Sequence, residues 1–178
     1  MLSEILSLIV NPVVGLLATV LLLRFWMQVI RIRPPSQVAE FTFQLTDWLV
    51  LRLRRVVPGI GGYDWASLLA TSVLAVLMAT LDCFLLFGQV PLRLLLIMSV
   101  LNLITWICYG FIGLLILSAV FSWVNPHAPL APFVRALTDP LLRPVRRFMP
   151  SMGGLDLSPM VVSILLIFVL RISARLLA

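Results

Sequence analysis

PPSQVAEFTFQLTDWLVLRLRRVVPGIGGYD, residues 34–64, and PHAPLAPFVRALTDPLLRPVRRFMPSMGGLD, residues 126–156, are two copies of one segment. They align without a gap at an offset of 92 positions, which pairs Pro34 with Pro126, Phe41 with Phe133, Leu45 with Leu137 and Thr46-Asp47 with Thr138-Asp139. The same register pairs Leu49 with Leu141, Arg54-Arg55 with Arg146-Arg147, Pro58 with Pro150, Gly61-Gly62 with Gly153-Gly154 and Asp64 with Asp156. Agreement sustained in one register makes the chain a duplication.

Long apolar stretches flank both copies. A helix needs about 20 predominantly apolar residues to cross a hydrocarbon core. Four stretches qualify: about Ile5 to Ile30, Ala66 to Phe87, Leu92 to Trp123 and Leu157 to Leu177. Gly88-Gln89-Val90-Pro91 joins the second to the third as a hairpin. The expected fold is therefore an all-α membrane protein of four transmembrane helices in two repeats, residues 1–88 and 89–178. Each repeat has two spans and returns the chain to its starting side, so the repeats run parallel and a pseudo-twofold along the membrane normal is expected.

Composition agrees. The chain is 62% hydrophobic and 11% charged, a balance that leaves too little polar surface for a soluble domain. All 13 basic residues are arginines, against seven acids, for a net charge of +6. Because the arginines sit between apolar spans, they suit anionic phospholipid headgroups and topology selection, and nucleic acid is not an expected partner. Nine of the 13 lie in the two connections, which the positive-inside rule places in the cytoplasm, with both termini external. Arg24 lies close enough to snorkel to the same surface. The N-terminus Met1-Leu2-Ser3-Glu4 lacks the basic region of a cleaved signal, so the first span is expected to be retained.

From Leu130 to Phe148, apolar Leu130, Phe133, Val134, Leu137, Leu141, Val145 and Phe148 recur at helical spacing opposite Arg135, Asp139, Arg143 and Arg146. This predicts an amphipathic helix on the membrane surface. Pro140 and Pro144 each lack a donor and crowd the preceding turn, so the helix is expected to be broken, one piece ending near Thr138 and another capped by Asp139. Asp47 takes the same capping role in the first repeat, where Trp48 and Arg52 replace the prolines and predict a straighter helix. Beyond Pro150 and Gly153-Gly154, Asp156 or Ser158 is expected to cap the fourth span, with Pro159 in its first turn; Asp64 opens the second span similarly.

The run Leu137-Thr138-Asp139-Pro140-Leu141-Leu142-Arg143-Pro144-Val145-Arg146-Arg147, then Pro150, Gly153-Gly154 and Asp156-Leu157-Ser158-Pro159, resembles the signature of the YggT family. With Ser122-Trp123 upstream and the weaker first copy, the resemblance covers nearly the whole chain. It implies a small bacterial inner-membrane protein with relatives in cyanobacteria and chloroplasts, tied to cell division and nucleoid distribution or, in a plastid branch, to cofactor assembly on the cytochrome bf complex. The first repeat departs from the signature at Trp48, Arg52, Trp65 and Ser67.

No nucleophile motif, phosphate loop or paired-carboxylate arrangement occurs, so the chain is not expected to be an enzyme. Cys83 and Cys108 show no metal-ligand spacing, and His127 alone cannot supply two axial haem ligands, so no metal or cofactor is expected. Five tryptophans near span ends suit interfacial anchoring. Arg54, Arg55, Arg143, Arg146 and Arg147 are the candidate contacts for anionic lipid or a protein partner. An intramembrane carboxylate is costly without a partner, and Asp82 falls one helical turn from the level of Arg171 on the equivalent helix, which predicts an Asp82–Arg171 pair. These features predict a non-enzymatic scaffold or assembly factor, possible as a homo-oligomer. A small oligomeric channel or transporter is the alternative, with Asn102, Thr105, Ser99 and Ser118 the chief polar residues of the third span.

Overall fold

A computed structural model describes residues 2–57, 59, 61–125, 127–148 and 156–175. Six helices follow one another: α1 (Leu2–Val29), α2 (Ser36–Arg54), α3 (Trp65–Phe87), α4 (Leu92–Val124), α5 (Ala131–Phe148) and α6 (Ser158–Arg175). Four of them, α1, α3, α4 and α6, are long and apolar enough to cross a membrane. The amphipathic α2 and α5 are the connections, and among the described residues there are no strands.

Local chemistry sets the boundaries. α1 ends where Arg31 adopts a left-handed conformation, with φ of 56°. Ile32 N–H then bonds the Met27 carbonyl at 3.0 Å and Arg31 N–H the Gln28 carbonyl at 3.0 Å, which satisfies two carbonyls the helix end would orphan. Pro34 and Pro35 keep the chain extended before α2 starts. Gly88 closes α3 with φ of 66°, and Pro91 precedes α4, so the hairpin forms as expected.

The first span packs on the second in each repeat, α1 on α3 and α4 on α6, and each surface helix rests on both spans of its own repeat. α3 presents small Ala66, Ser67, Ala70, Thr71, Ala75 and Ala79 at the buried seam, which lets backbones approach closely where apolar transfer supplies little drive between helices in lipid. Both surface helices lie at one end of the bundle. Val38 of α2 and Met27 of α1 share a cluster with Phe133, Val134 and Leu137 of α5.

The repeats thus run parallel, but they are not related by a closed twofold. α3 packs along α4, whereas α6 and α1, the pair a twofold would generate, have no comparable contact. The fourth span instead docks on the outer side of α4, and the bundle stays open in the manner of a stacked repeat.

α5 also corrects an expectation. It continues unbroken through Pro140 and Pro144 instead of splitting at Thr138. Both prolines are exposed, so the carbonyls they leave unpaired face outward where other donors can reach them. Its apolar stripe is spent on the bundle: Phe133, Val134 and Leu137 pack against α1, and Leu142, Leu141 and Val145 against Leu115 and Val162. Only Phe148 at its end stays exposed among the larger apolar residues. Pro150 and Gly153-Gly154 lie outside the described residues.

Candidate functional site

Two clusters of charge join the surface helices to the spans, one per repeat. In the first, Arg24 on α1 is almost buried, at 4% exposure, and Asp64 just before α3 more so, at 2%. Arg24 Nε donates to Asp64 Oδ2 at 3.0 Å, and its Nη1 to Asp47 Oδ1 of α2 at 2.6 Å and to the Thr46 hydroxyl at 2.8 Å. The Thr46 hydroxyl in turn donates a hydrogen bond to the Thr42 carbonyl at 2.7 Å. Arg54 donates to the same Asp64 carboxylate, Nη2 at 2.9 Å and Nε at 3.3 Å, and the Ser67 hydroxyl adds a bond at 2.8 Å. The guanidinium of Arg24 also lies 4.8 Å from the centre of the Phe43 ring.

Burial alone would push the Asp64 carboxyl up. The hydrogen bond from Arg54, that from Ser67, and the charges of Arg54 and Arg24 outweigh it and hold the group below its ordinary value. Asp64 is therefore a charged group at a buried site, and the arginines exist there as its counterions.

The second cluster reuses three of these residues at the repeat offset. Arg146 bridges two carboxylates, Nη1 to Asp139 Oδ1 at 2.8 Å and Nη2 to Asp156 Oδ2 at 2.6 Å. Arg143, one turn before it, donates to Asp139 Oδ2 at 2.8 Å. The Ser158 backbone N–H reaches Asp156 Oδ1 at 3.0 Å, and the Ser158 hydroxyl bonds the same oxygen. Burial raises the Asp156 carboxyl, but the hydroxyl and N–H of Ser158 and then Arg146 bring it below its ordinary value. Among the described residues none plays the part of Arg24: the offset puts Ile116 there, facing outward. Asp156 keeps 40% of its side-chain surface exposed where Asp64 keeps 1%, while Asp139 and Arg146, at 32% and 41%, match Asp47 and Arg54 at 39% and 40%.

These geometries revise several roles. Asp47 and Asp139 lie inside continuous helices and are ion-pair partners instead of caps. Asp64 occupies the position before α3 but caps nothing with its side chain; it binds arginine. Asp156 does bind the first N–H of α6, and Ser158 and Pro159 open that helix. Arg55 and Arg147 are exposed and enter neither cluster. Asp82 and Arg171 are not brought together: among the described residues no ion pair joins them, because α3 and α6 are held apart on different sides of α4. Arg24 is the residue that sequence reasoning undervalued. The available signal was that Asp47, Arg54 and Asp64 recur as a set while Arg24 has no counterpart.

A duplicated four-span helical membrane protein whose surface helices are fastened by paired Asp-Arg-Asp sets is the class that fold and site define. Within that class, the CCB3/YggT family model matches residues 3–85 and again 97–177, one match per repeat, and the chain belongs to this family. It is 35% identical over 166 residues to the Escherichia coli (strain K12) "Uncharacterized protein YggT", covering 90% of this chain and 85% of that one. An "Uncharacterized protein" of Haemophilus influenzae is 31% identical over 91% of this chain and 87% of its own. The "Uncharacterized protein PA0392" of Pseudomonas aeruginosa is 35% identical over 79% of this chain and 73% of its own. No solved structure matches the chain.

Proposed function

We propose that this protein is a non-enzymatic scaffold or assembly factor of the bacterial inner membrane, presenting α5 as a rigid basic face to anionic lipid and to a protein partner. The observation that carries the reading is the surplus of exposed arginine on α5, Arg135, Arg143, Arg146 and Arg147. In the first repeat Arg24 and Asp64 are buried against each other, while Asp47 and Arg54 keep 39% and 40% of their side-chain surface exposed. In the second, Arg135, Arg143, Arg146 and Arg147 stand against only Asp139 and Asp156, all on or beside a helix anchored by Leu137 and Leu142. A surplus of guanidinium held on a fixed helix suits carboxylates or phosphates, which it can bind through paired N–H donors.

Arginine distribution supports cytoplasmic surface helices with both termini external. Thiol labelling of Ser36→Cys on a background without Cys83 and Cys108 tests this; labelling from the periplasm of intact cells would reverse it. The scaffold reading is tested by crosslinking in native membranes with Arg143, Arg146 and Arg147 replaced by Gln. Loss of a specific crosslinked partner, with the same folded yield, is expected. An unchanged set of partners would sink the basic-face reading. The channel alternative draws no support from the space between α1 and α4, which is lined by apolar side chains.

A further inference from the structure

α1 and α4 touch at a narrow waist and then part. At the waist both helices are thin: a methyl group on Gly110 would meet the Thr19 side chain at 3.1 Å, and one on Gly15 would meet the Trp106 indole at 3.2 Å. Toward the surface helices a cavity of about 460 Å³ opens between them, walled by Phe25, Trp26, Trp106, Phe111, Leu114 and Leu117. The size is that of a ligand site, since such pockets run from about 300 to 1,000 Å³. Gly113 borders it, and a side chain there would meet nothing within 4 Å.

The walls decide what fits. Of the four side chains with a polar atom that line the space, Thr19 bonds the Gly15 carbonyl and Trp26 the Leu137 carbonyl, which leaves the Trp106 indole and the Tyr109 hydroxyl in an otherwise apolar wall. A polar solute would find almost nothing to bond and would lose its hydration. From Trp106 to Leu117 the groove runs about 16 Å at 1.5 Å per residue. That equals roughly half of a 30 Å hydrocarbon core, the depth of one leaflet. Beyond Trp26 the same helix ends within about 8 Å at exposed Arg31, followed by exposed Arg33.

We propose that the groove between α1 and α4 is a binding site for one acyl chain of an anionic phospholipid, with the headgroup at Arg31 and Arg33. The tail site borders α5 through Trp26 and Leu114 but uses none of its arginines, and only the headgroup contact shares the membrane-charge reasoning of the preceding section. The wedge would then be a structural element of the bundle, completed by lipid where side chains leave it open.

Native mass spectrometry of the full-length protein in detergent tests this, with dioleoylphosphatidylglycerol and dioleoylphosphatidylcholine as probes. One phosphatidylglycerol retained per chain, at least fivefold above phosphatidylcholine, is expected. Gly113→Phe, which fills the open space, should lower retention at least fivefold, and Leu117→Trp should do the same if the first variant folds poorly. Val169→Phe on the outer face of α6 should change nothing. Arg31→Gln with Arg33→Gln should erase the preference between lipids while leaving one chain bound. Retention by Gly113→Phe and Leu117→Trp equal to that of the parent overturns the groove, and equal retention of both lipids by the parent overturns the headgroup assignment. Neutralising Arg143, Arg146 and Arg147 should leave retention intact; loss there, with the groove variants silent, would place the lipid on α5 and overturn the site.

Discussion

The two repeats hold the same Asp-Arg-Asp clasp, and the copy with an extra arginine has one carboxylate buried, Asp64, where the other leaves Asp156 exposed. In the first repeat Arg24 enters from α1, spans Asp47 and Asp64, and is buried with Asp64, while Asp47 and Arg54 stay part-exposed. In the second, Arg146 does the spanning alone and the carboxylates remain at the surface. The comparison teaches that an ion-pair motif does not carry its energy with it. What the motif contributes depends on whether its neighbours desolvate it, and a copied motif can hold structure together in one place and present charge in another.

The largest test of that difference is removal of the spanning arginine. Arg24→Met should cost about 3 to 5 kcal/mol, because it strands buried carboxylate, whereas Arg146→Met should cost about 1 kcal/mol or less. Denaturant unfolding in mixed micelles measures both. Adding Asp64→Asn to Arg24→Met should recover part of the loss. Equal costs for the two arginines would break the comparison.

Acid should separate the clasps next. Asp64 and Asp156 are both held below the ordinary carboxyl value of 3.8, so the stability they contribute is complete above that value and is lost as pH falls through their folded values. Melting temperature should stay level from pH 7 to about 5 and fall below about pH 4. Asp64→Asn should remove more of that fall than Asp156→Asn does. A fall that sets in near pH 6 would point to other groups.

A smaller effect compares one carbonyl in its two copies. The Leu137 carbonyl of α5 accepts from the Trp26 indole of the other repeat at 3.0 Å, while its counterpart, the Leu45 carbonyl, accepts from Trp48 on its own helix at 2.8 Å. Trp26→Phe should cost about 1 kcal/mol and loosen α5, whereas Trp48→Phe, on an exposed face, should cost less than about 0.5 kcal/mol. Hydrogen exchange of residues 133–142 reads the loosening directly. The smallest effect is expected at Arg143, whose i,i+4 pair with Asp139 is exposed: Arg143→Gln should shift stability by about 0.3 to 0.5 kcal/mol, and salt should abolish the difference.

Much of this architecture was legible before any coordinates. The spans follow from apolar length, the hairpin from Gly88 and Pro91, and the duplication from one register of identities. The surface helices were legible as helices, but their surroundings were not. The stripe of α5 reads like a lipid-facing one because periodicity reports that a face is apolar and is silent on whether protein or lipid covers it. Local capping rules misassigned Asp47 and Asp139, since an aspartate next to a plausible helix start has the same sequence signature as one waiting for an arginine 23 residues away in chain, as Asp47 does. The Asp82–Arg171 expectation failed because the repeat offset reports depth along equivalent helices and is silent on which helices touch: α3 and α6 both pack on α4 and not on each other.

The buried arginine also sets a clock. Arg24 leaves the ribosome 40 residues ahead of Asp64, its deepest partner. At about 5 to 20 residues per second, that is a wait of about 2 to 8 seconds. Asp47 follows Arg24 by 23 residues and answers part of its charge first; until Asp64 arrives the long side chain can hold the cation at headgroup level. The buried clasp is therefore completed only once the segment leading into α3 has been made, and it ties α1, α2 and the start of α3 together in one step.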